Sequence, residues 1–284
     1  MSALNNKIDF TLVITAKNAN PNGDPLNGNR PRENYDGFGE ISDVCLKRKI
    51  RNRLQDMGEK IFVQSDDRND DGYKSLHDRV KGSSLAPLLK DKNTDRECFA
   101  AAACEEWIDV RSFGQVFAFK GDPVSVGVRG PVTIQQATSV SPIDIASIQI
   151  TKSVNGESGK EGKASDTMGT KHKVEFAVYV AHGSINCQLA EKTGFTDEDA
   201  EKIKLALETL FENDCSSARP EGSMEVRRLY WYRHDCKTPK YSSAKVHRLL
   251  DIKLKDGVDR PRRFEDYELT VTKLDGLEPE VFEG

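Results

Sequence analysis

The chain has 284 residues, 37% hydrophobic and 31% charged, with a formal net charge of −4. That apolar share is low but still allows a core, which points to a scaffold carrying polar excursions. No run approaches the roughly 20 apolar residues of a membrane-spanning helix. The polar start, Met1 to Lys7, predicts neither anchor nor signal peptide. The six cysteines are scattered without a C-x-x-C pair, the pattern of reduced thiols in the cytoplasm rather than a disulfide frame or zinc site.

Ile8 to Thr15 is β-branched and alternates in part, so it reads as a strand. It runs into a long loop, residues 18–39, crowded with Asn, Gly and Pro. Loops of that length in a compact domain are usually functional or disordered. Glu40-Ile-Ser-Asp then opens a helix that Ser42 or Asp43 can cap, with Leu46, Ile50, Leu54 and Met57 as its apolar stripe and Gly58 as its stop. Residues 73–108 read as helices at Ser75–Val80, Leu85–Leu89 and Asp95–Trp107. Strand-like runs follow at Gln115–Phe119, Gly130–Gln136 and Ile143–Val154. After them comes a Gly- and Lys-rich stretch, residues 155–169, too polar for core. Lys173–Val180 is a strand, Thr196–Phe211 a helix with acids in its first turn, and Val226–Arg233 and Leu249–Lys255 are strands. Strand, helix, strands, helix, strands is the order of an α+β, ferredoxin-like (RRM-like) core with two insertions, one helical and one a flexible hairpin.

Charge is unevenly placed. Val44 to Arg53 holds five basic residues and no acidic one, whereas acids gather in 197–214 and 275–283. At about 100° per residue, Lys47, Arg48 and Arg51 flank one side of the apolar stripe, and Lys49 and Arg53 the other. Such a surface suits phosphates, whose neutralisation releases counterions; the bland alternative is a solvated helix face. The preceding loop offers side-chain amides, glycine-freed N–H groups, Arg30 and Arg32 as a phosphate or ribose cradle, although turn chemistry alone uses the same residues. Asp109-Val-Arg-Ser-Phe-Gly reads as a strand start with an exposed arginine. Lys152, Lys160, Lys163, Lys171, His172 and Lys173, around Met168, fit either a mobile arm over nucleic acid, with methionine as a wedge between bases, or a surface loop. Gly156 to Lys160 lacks the spacing of a phosphate-binding loop, and the five histidines show no metal spacing. Tyr230, Trp231 and Tyr232 read as core packing rather than a base-stacking platform.

Several long motifs then stand in one order. They are Asn18-Ala-Asn-Pro-Asn-Gly-Asp-Pro-Leu-Asn-Gly-Asn-Arg-Pro-Arg, Gly39-Glu-Ile-Ser-Asp-Val-Cys-Leu-Lys-Arg-Lys-Ile-Arg, Asp109-Val-Arg-Ser-Phe-Gly and Val174-Glu-Phe-Ala-Val-Tyr-Val-Ala-His-Gly, with Tyr241-Ser-Ser-Ala-Lys-Val and Pro261-Arg-Arg-Phe-Glu-Asp-Tyr near the end. In these the chain resembles the backbone subunit of type I-C CRISPR Cascade complexes, a Csd-type member of the RAMP superfamily.

The resemblance implies a single elaborated domain over 1–284: an RRM-like palm, a helical finger insertion at 60–108 and a thumb β-hairpin at 137–172. It implies a non-enzymatic protein without cofactor or metal. Copies of it would stack head to tail along a CRISPR RNA, beside the large, small and guide-handle-binding Cascade subunits. Target DNA would pair with the exposed guide bases, so that pairing supplies specificity. By position, Asn20, Asn22, Arg30, Lys47, Arg48 and Arg51 would bind the guide backbone, Arg111 and Gln115 would line the groove, and Met168, Lys171 and His172 would belong to the thumb. The competing reading is a metal-dependent ribonuclease of the same superfamily using Asp24 or Asp36.

Overall fold

The computed structural model describes residues 2–151 and 168–284. In chain order it contains β1 (Ile8–Ala19), the two-residue strands β2 (Gly23–Asp24) and β3 (Arg30–Pro31), β4 (Phe38–Ile41) and α1 (Asp43–Asp56). Four helices follow, α2 (Leu76–Gly82), α3 (Ala86–Lys90), α4 (Arg96–Glu106) and α5 (Ile108–Phe113), then the hairpin β5 (Gly114–Ala118) and β6 (Ser125–Arg129). Next come β7 (Val132–Ile134), β8 (Ala137–Pro142), β9 (Ile145–Thr151), β10 (Met168–Ile185), α6 (Cys187–Thr193) and α7 (Asp197–Glu208). The chain closes with β11 (Met224–Arg233), α8 (Ser243–His247), β12 (Leu250–Leu254), β13 (Tyr267–Val271) and β14 (Glu280–Glu283). Among the described residues no helix is long and apolar enough to cross a membrane.

The main sheet runs β14-β11-β1-β10-β8-β4, with antiparallel pairing throughout. One edge of the long β10 is served in turn by β9 at Met168–Val174, β8 at Tyr179–Val180 and β7 at Gly183–Ile185. Strand β1 has nine consecutive buried residues because the sheet is covered on both faces. Side chains alternate across a strand. Ile8, Phe10, Leu12, Ile14 and Ala16 therefore meet the core that α1, α6 and α7 fill with Leu46, Ile50, Leu54, Ala190, Ile203 and Leu207. On the opposite face Val13 joins Tyr230 and Tyr232 under Val246, Leu249, Tyr267 and Leu277 of the C-terminal segment. The aromatic triplet is core, as its alternation suggests: Trp231 is buried and stacks on Phe10 at 5.5 Å.

A second core belongs to the insertion. Phe62, Val80, Leu89, Phe99, Trp107 and Phe117 pack together with Val124. It extends past the expected boundary at residue 108, because the β5–β6 hairpin supplies Phe117 and closes it. The thumb span 137–172 divides in two. β8 is part of the main sheet, whereas β9 and the start of β10 form a ribbon beyond it. Residues 152–167, with Lys152, Lys160, Lys163 and the Gly156–Lys160 stretch, lie outside the described residues.

Candidate nucleic-acid interface

Helix α1 starts where its sequence places it. The Ser42 hydroxyl accepts from Cys45 N at 3.2 Å, and Gly58, at φ 86°, follows the helix end. Its cations, however, do not form an open strip. Arg48 Nη1 donates to Val63 O at 2.6 Å. Lys49 is buried against Asp214 and the Phe211 ring; burial pushes its pKa down, against the pull of Asp214. Arg51 Nε donates to Asp109 Oδ2 at 2.9 Å with its guanidinium over Phe113, and Arg53 reaches Thr209 and Glu212. Lys47 is more exposed than Lys49, Arg51 and Arg53, and it pairs with Asp43 one turn back at 3.1 Å. The continuous basic face expected from the sequence is therefore divided among separate partners, because α1 lies between the finger and α7.

Residues 109–114 correct another expectation. They form helix α5 followed by Gly114 at φ 81°, not a strand start. Arg111 is not an exposed arginine. It forks onto Asp199 at 2.8 and 2.7 Å and donates to Cys104 O at 2.6 Å. Burial opposes its charge, but the Asp199 carboxylate outweighs this and leaves its pKa raised. Gln115 is half-buried on β5 and donates to the neighbouring Val116 O at 3.0 Å.

The loop after β1 is built by its own polar groups. Asn20, nearly buried, donates Nδ2–H to Asn29 O at 2.6 Å, and Asn22 Oδ1 accepts from Ser42 N at 2.9 Å, tying the loop to the cap of α1. Asp24 caps a short 3-10 turn through Leu26 N at 3.3 Å and pairs with Arg32 at 3.3 Å. Asp36 is exposed in a turn that Asn34 organises by accepting from Asp36 N and Phe38 N.

What the fold brings together is this loop and the β9–β10 ribbon. Arg30 Nη1 donates to Ser147 Oγ at 3.3 Å, and Ser147 shares a 2.8 Å hydrogen bond with His172 Nδ1. Lys173 Nζ donates to Asn18 Oδ1 at 2.6 Å. Lys171 is exposed one residue before His172, and in register it faces Ile148, itself 45% exposed. Met168 is 62% exposed, and its sulfur accepts from Gln149 at 2.7 Å. Arg30, Ser147 and His172 thus form a seam between loop and ribbon on one face, while Lys171, Ile148 and Lys173 project from the other, since side chains alternate along a strand. Together the two faces offer cations, hydroxyl, imidazole and exposed aliphatic surface, which can take phosphate oxygens and the flat face of a base without reading sequence. Ser147 and the Asn18–Lys173 bond escape sequence reasoning because their partners lie 25 to 155 residues away along the chain.

Among the described residues no group of three or more His, Cys, Asp or Glu is arranged to hold a metal ion.

Comparison with known proteins places this geometry in a family. The chain is 27% identical over 292 residues to the CRISPR-associated protein Cas7 of Haloferax volcanii, covering 95% of this chain and 82% of that one. A solved chain of a CRISPR RNA-guided surveillance complex, pre-nicking, superposes with a TM-score of 0.51 at 15% identity, over 85% of this chain and 81% of that one. A chain of a second CRISPR RNA-guided surveillance complex gives 0.48 at 14% identity, over 89% and 78%. Residues 6–272 match the model of one family, and the chain belongs to it: CRISPR-associated protein Cas7.

Proposed function

We propose that this chain is a non-catalytic backbone subunit of a type I-C Cascade surveillance complex in the cytoplasm. In this reading it polymerises head to tail along a CRISPR RNA, beside other Cascade subunits, and presents the guide for pairing with target DNA. The observation that carries the reading is the family match over 6–272, which spans palm, insertion and ribbon alike. The sheet supports the RRM-like reading of the palm: β1, α1, β8, β10, α7 and β11 follow the strand–helix–strand–strand–helix–strand order, with β11-β1-β10-β8 as neighbours. The cations that loop and ribbon present, Arg30, Lys171 and Lys173, support backbone rather than base recognition. The engagement of Asp24 in a turn and with Arg32 supports a shaping role for that carboxylate. The test is expression in bacteria together with a repeat–spacer transcript. The chain should copurify with a short RNA of one defined length. Recovery as a nucleic-acid-free monomer would count against the reading.

A further inference from the structure

Helix α5 carries two opposite charges two residues apart, which on an α-helix separates them by about 200°. They reach opposite neighbours. Asp109, fully buried, accepts from Phe62 N at 2.7 Å, Val63 N at 3.1 Å and Arg51 Nε of α1 at 2.9 Å. Arg111 forks onto Asp199, whose carboxylate also accepts from Thr196 N at 2.9 Å and so completes the N-terminal cap of α7. The finger, with its own core, thus meets the palm at a short helix pinned to α1 on one side and α7 on the other, with Arg68 adding bonds to Asp56 at 2.6 Å and Asn213 O at 2.9 Å. The exit from this helix is equally tight: a Cβ on Gly130 would stand 2.3 Å from Ser112 O, and one on Gly114 would stand 2.3 Å from Val128 O. Two clefts of about 510 and 540 Å³ flank Arg111, so the finger and the palm helices are not otherwise packed solid there.

The geometry points to α5 as the keystone that sets the orientation of the finger, with Asp109, Arg111, Arg51 and Asp199 as positioning residues rather than nucleic-acid contacts. Arg48, bound to Val63 O, supports the same seam. A fork is a directional contact, whereas a lysine would satisfy only the charge. The orientation of the finger therefore depends on the guanidinium plane and not simply on a cation.

Two exposed native cysteines report on this directly, Cys98 on the finger and Cys215 beyond α7 on the palm. In a background carrying Cys45→Ser and Cys236→Ser, spin labels on both give the finger–palm distance distribution by double electron–electron resonance, on nucleic-acid-free protein. The width should at least double in Arg111→Ala, lie between the two in Arg111→Lys, and broaden in Asp109→Asn. The slope of log affinity against log salt for RNA should be the same in Arg111→Ala as in the parent. An unchanged width in the folded Arg111→Ala protein would overturn the proposal, as would a slope flatter by about 1, the mark of a lost phosphate contact. Because the distance measurement needs no RNA, its failure is separable from failure of the guide-binding reading.

Discussion

Lys173 donates to Asn18 across 2.6 Å, joining residues 155 positions apart at the point where the long loop leaves β1 and the ribbon leaves the sheet. Asn18 has φ 55°, a backbone conformation that asparagine tolerates better than most residues. Replacing it with valine should strain the turn and release Lys173. Thermal unfolding should register a loss of about 1–3 kcal/mol, together with weaker RNA binding.

The division of labour among the basic residues predicts two distinguishable phenotypes. Arg48→Ala strips a partner from Val63 O inside the finger seam and should lower stability by about 1–3 kcal/mol. Arg30→Ala removes a half-buried cation from the seam and should leave the melting temperature nearly unchanged while weakening RNA binding uniformly across sequences. Paired melting and binding titrations check both, and reversal of the two phenotypes would reassign the residues.

Much of this was legible in the sequence. Ser42, one of the two candidate caps, the Leu46–Ile50–Leu54 stripe and the three finger helices stand where periodicity and stop signals put them, since each depends on neighbours within a turn or two. The aromatic triplet could be assigned to core because alternation forces its two sides apart. Partners of charged residues could not be read. The five cations of α1 look alike in one dimension, and only tertiary packing delivers Asp109 to Arg51 and Asp214 to Lys49. The Ile108–Phe113 helix was hidden for the same reason: six residues are too few for a period, and what stabilises them is a buried carboxylate bound to two distant N–H groups.

Acid should destabilise the junction under the C-terminal segment. Burial, with His247 stacked at 4.8 Å, pushes the His182 pKa down to about 4. A histidine with a depressed folded pKa contributes stability that is full above its unfolded value of roughly 6.5 and is lost as pH falls towards 4. Asp9 lies beside this pair. Burial raises its pKa, but the hydrogen bonds from His234 and Ser243 and the charge of Lys7 outweigh that and leave it low, so its contribution is lost only below the range in which His182 titrates. Denaturant unfolding between pH 7 and 4.5 should show falling stability in the parent and a shallower fall in His182→Gln.

Gly183 closes the sheet against Phe10. A Cβ there would stand 2.1 Å from Phe10 Cζ and 2.6 Å from Thr133 O, so Gly183→Ala should cost at least about 2 kcal/mol. Chemical denaturation measures the loss, and an unchanged midpoint would contradict the packing described.

Labelled RNA incubated with the purified chain and Mg²⁺ should stay intact, with Asp24→Ala behaving like the parent. Metal-dependent cutting that Asp24→Ala abolishes would replace the non-catalytic reading with a ribonuclease.

Recognition of sugar-phosphate rather than of bases is tested most directly by titrating two RNAs of equal length and unrelated sequence across a range of salt. The parent should bind both with the same affinity and slope, and Arg30→Ala with Lys171→Ala should flatten both slopes by about 2. Sequence-dependent affinities, or slopes that the double variant leaves unaltered, would contradict it.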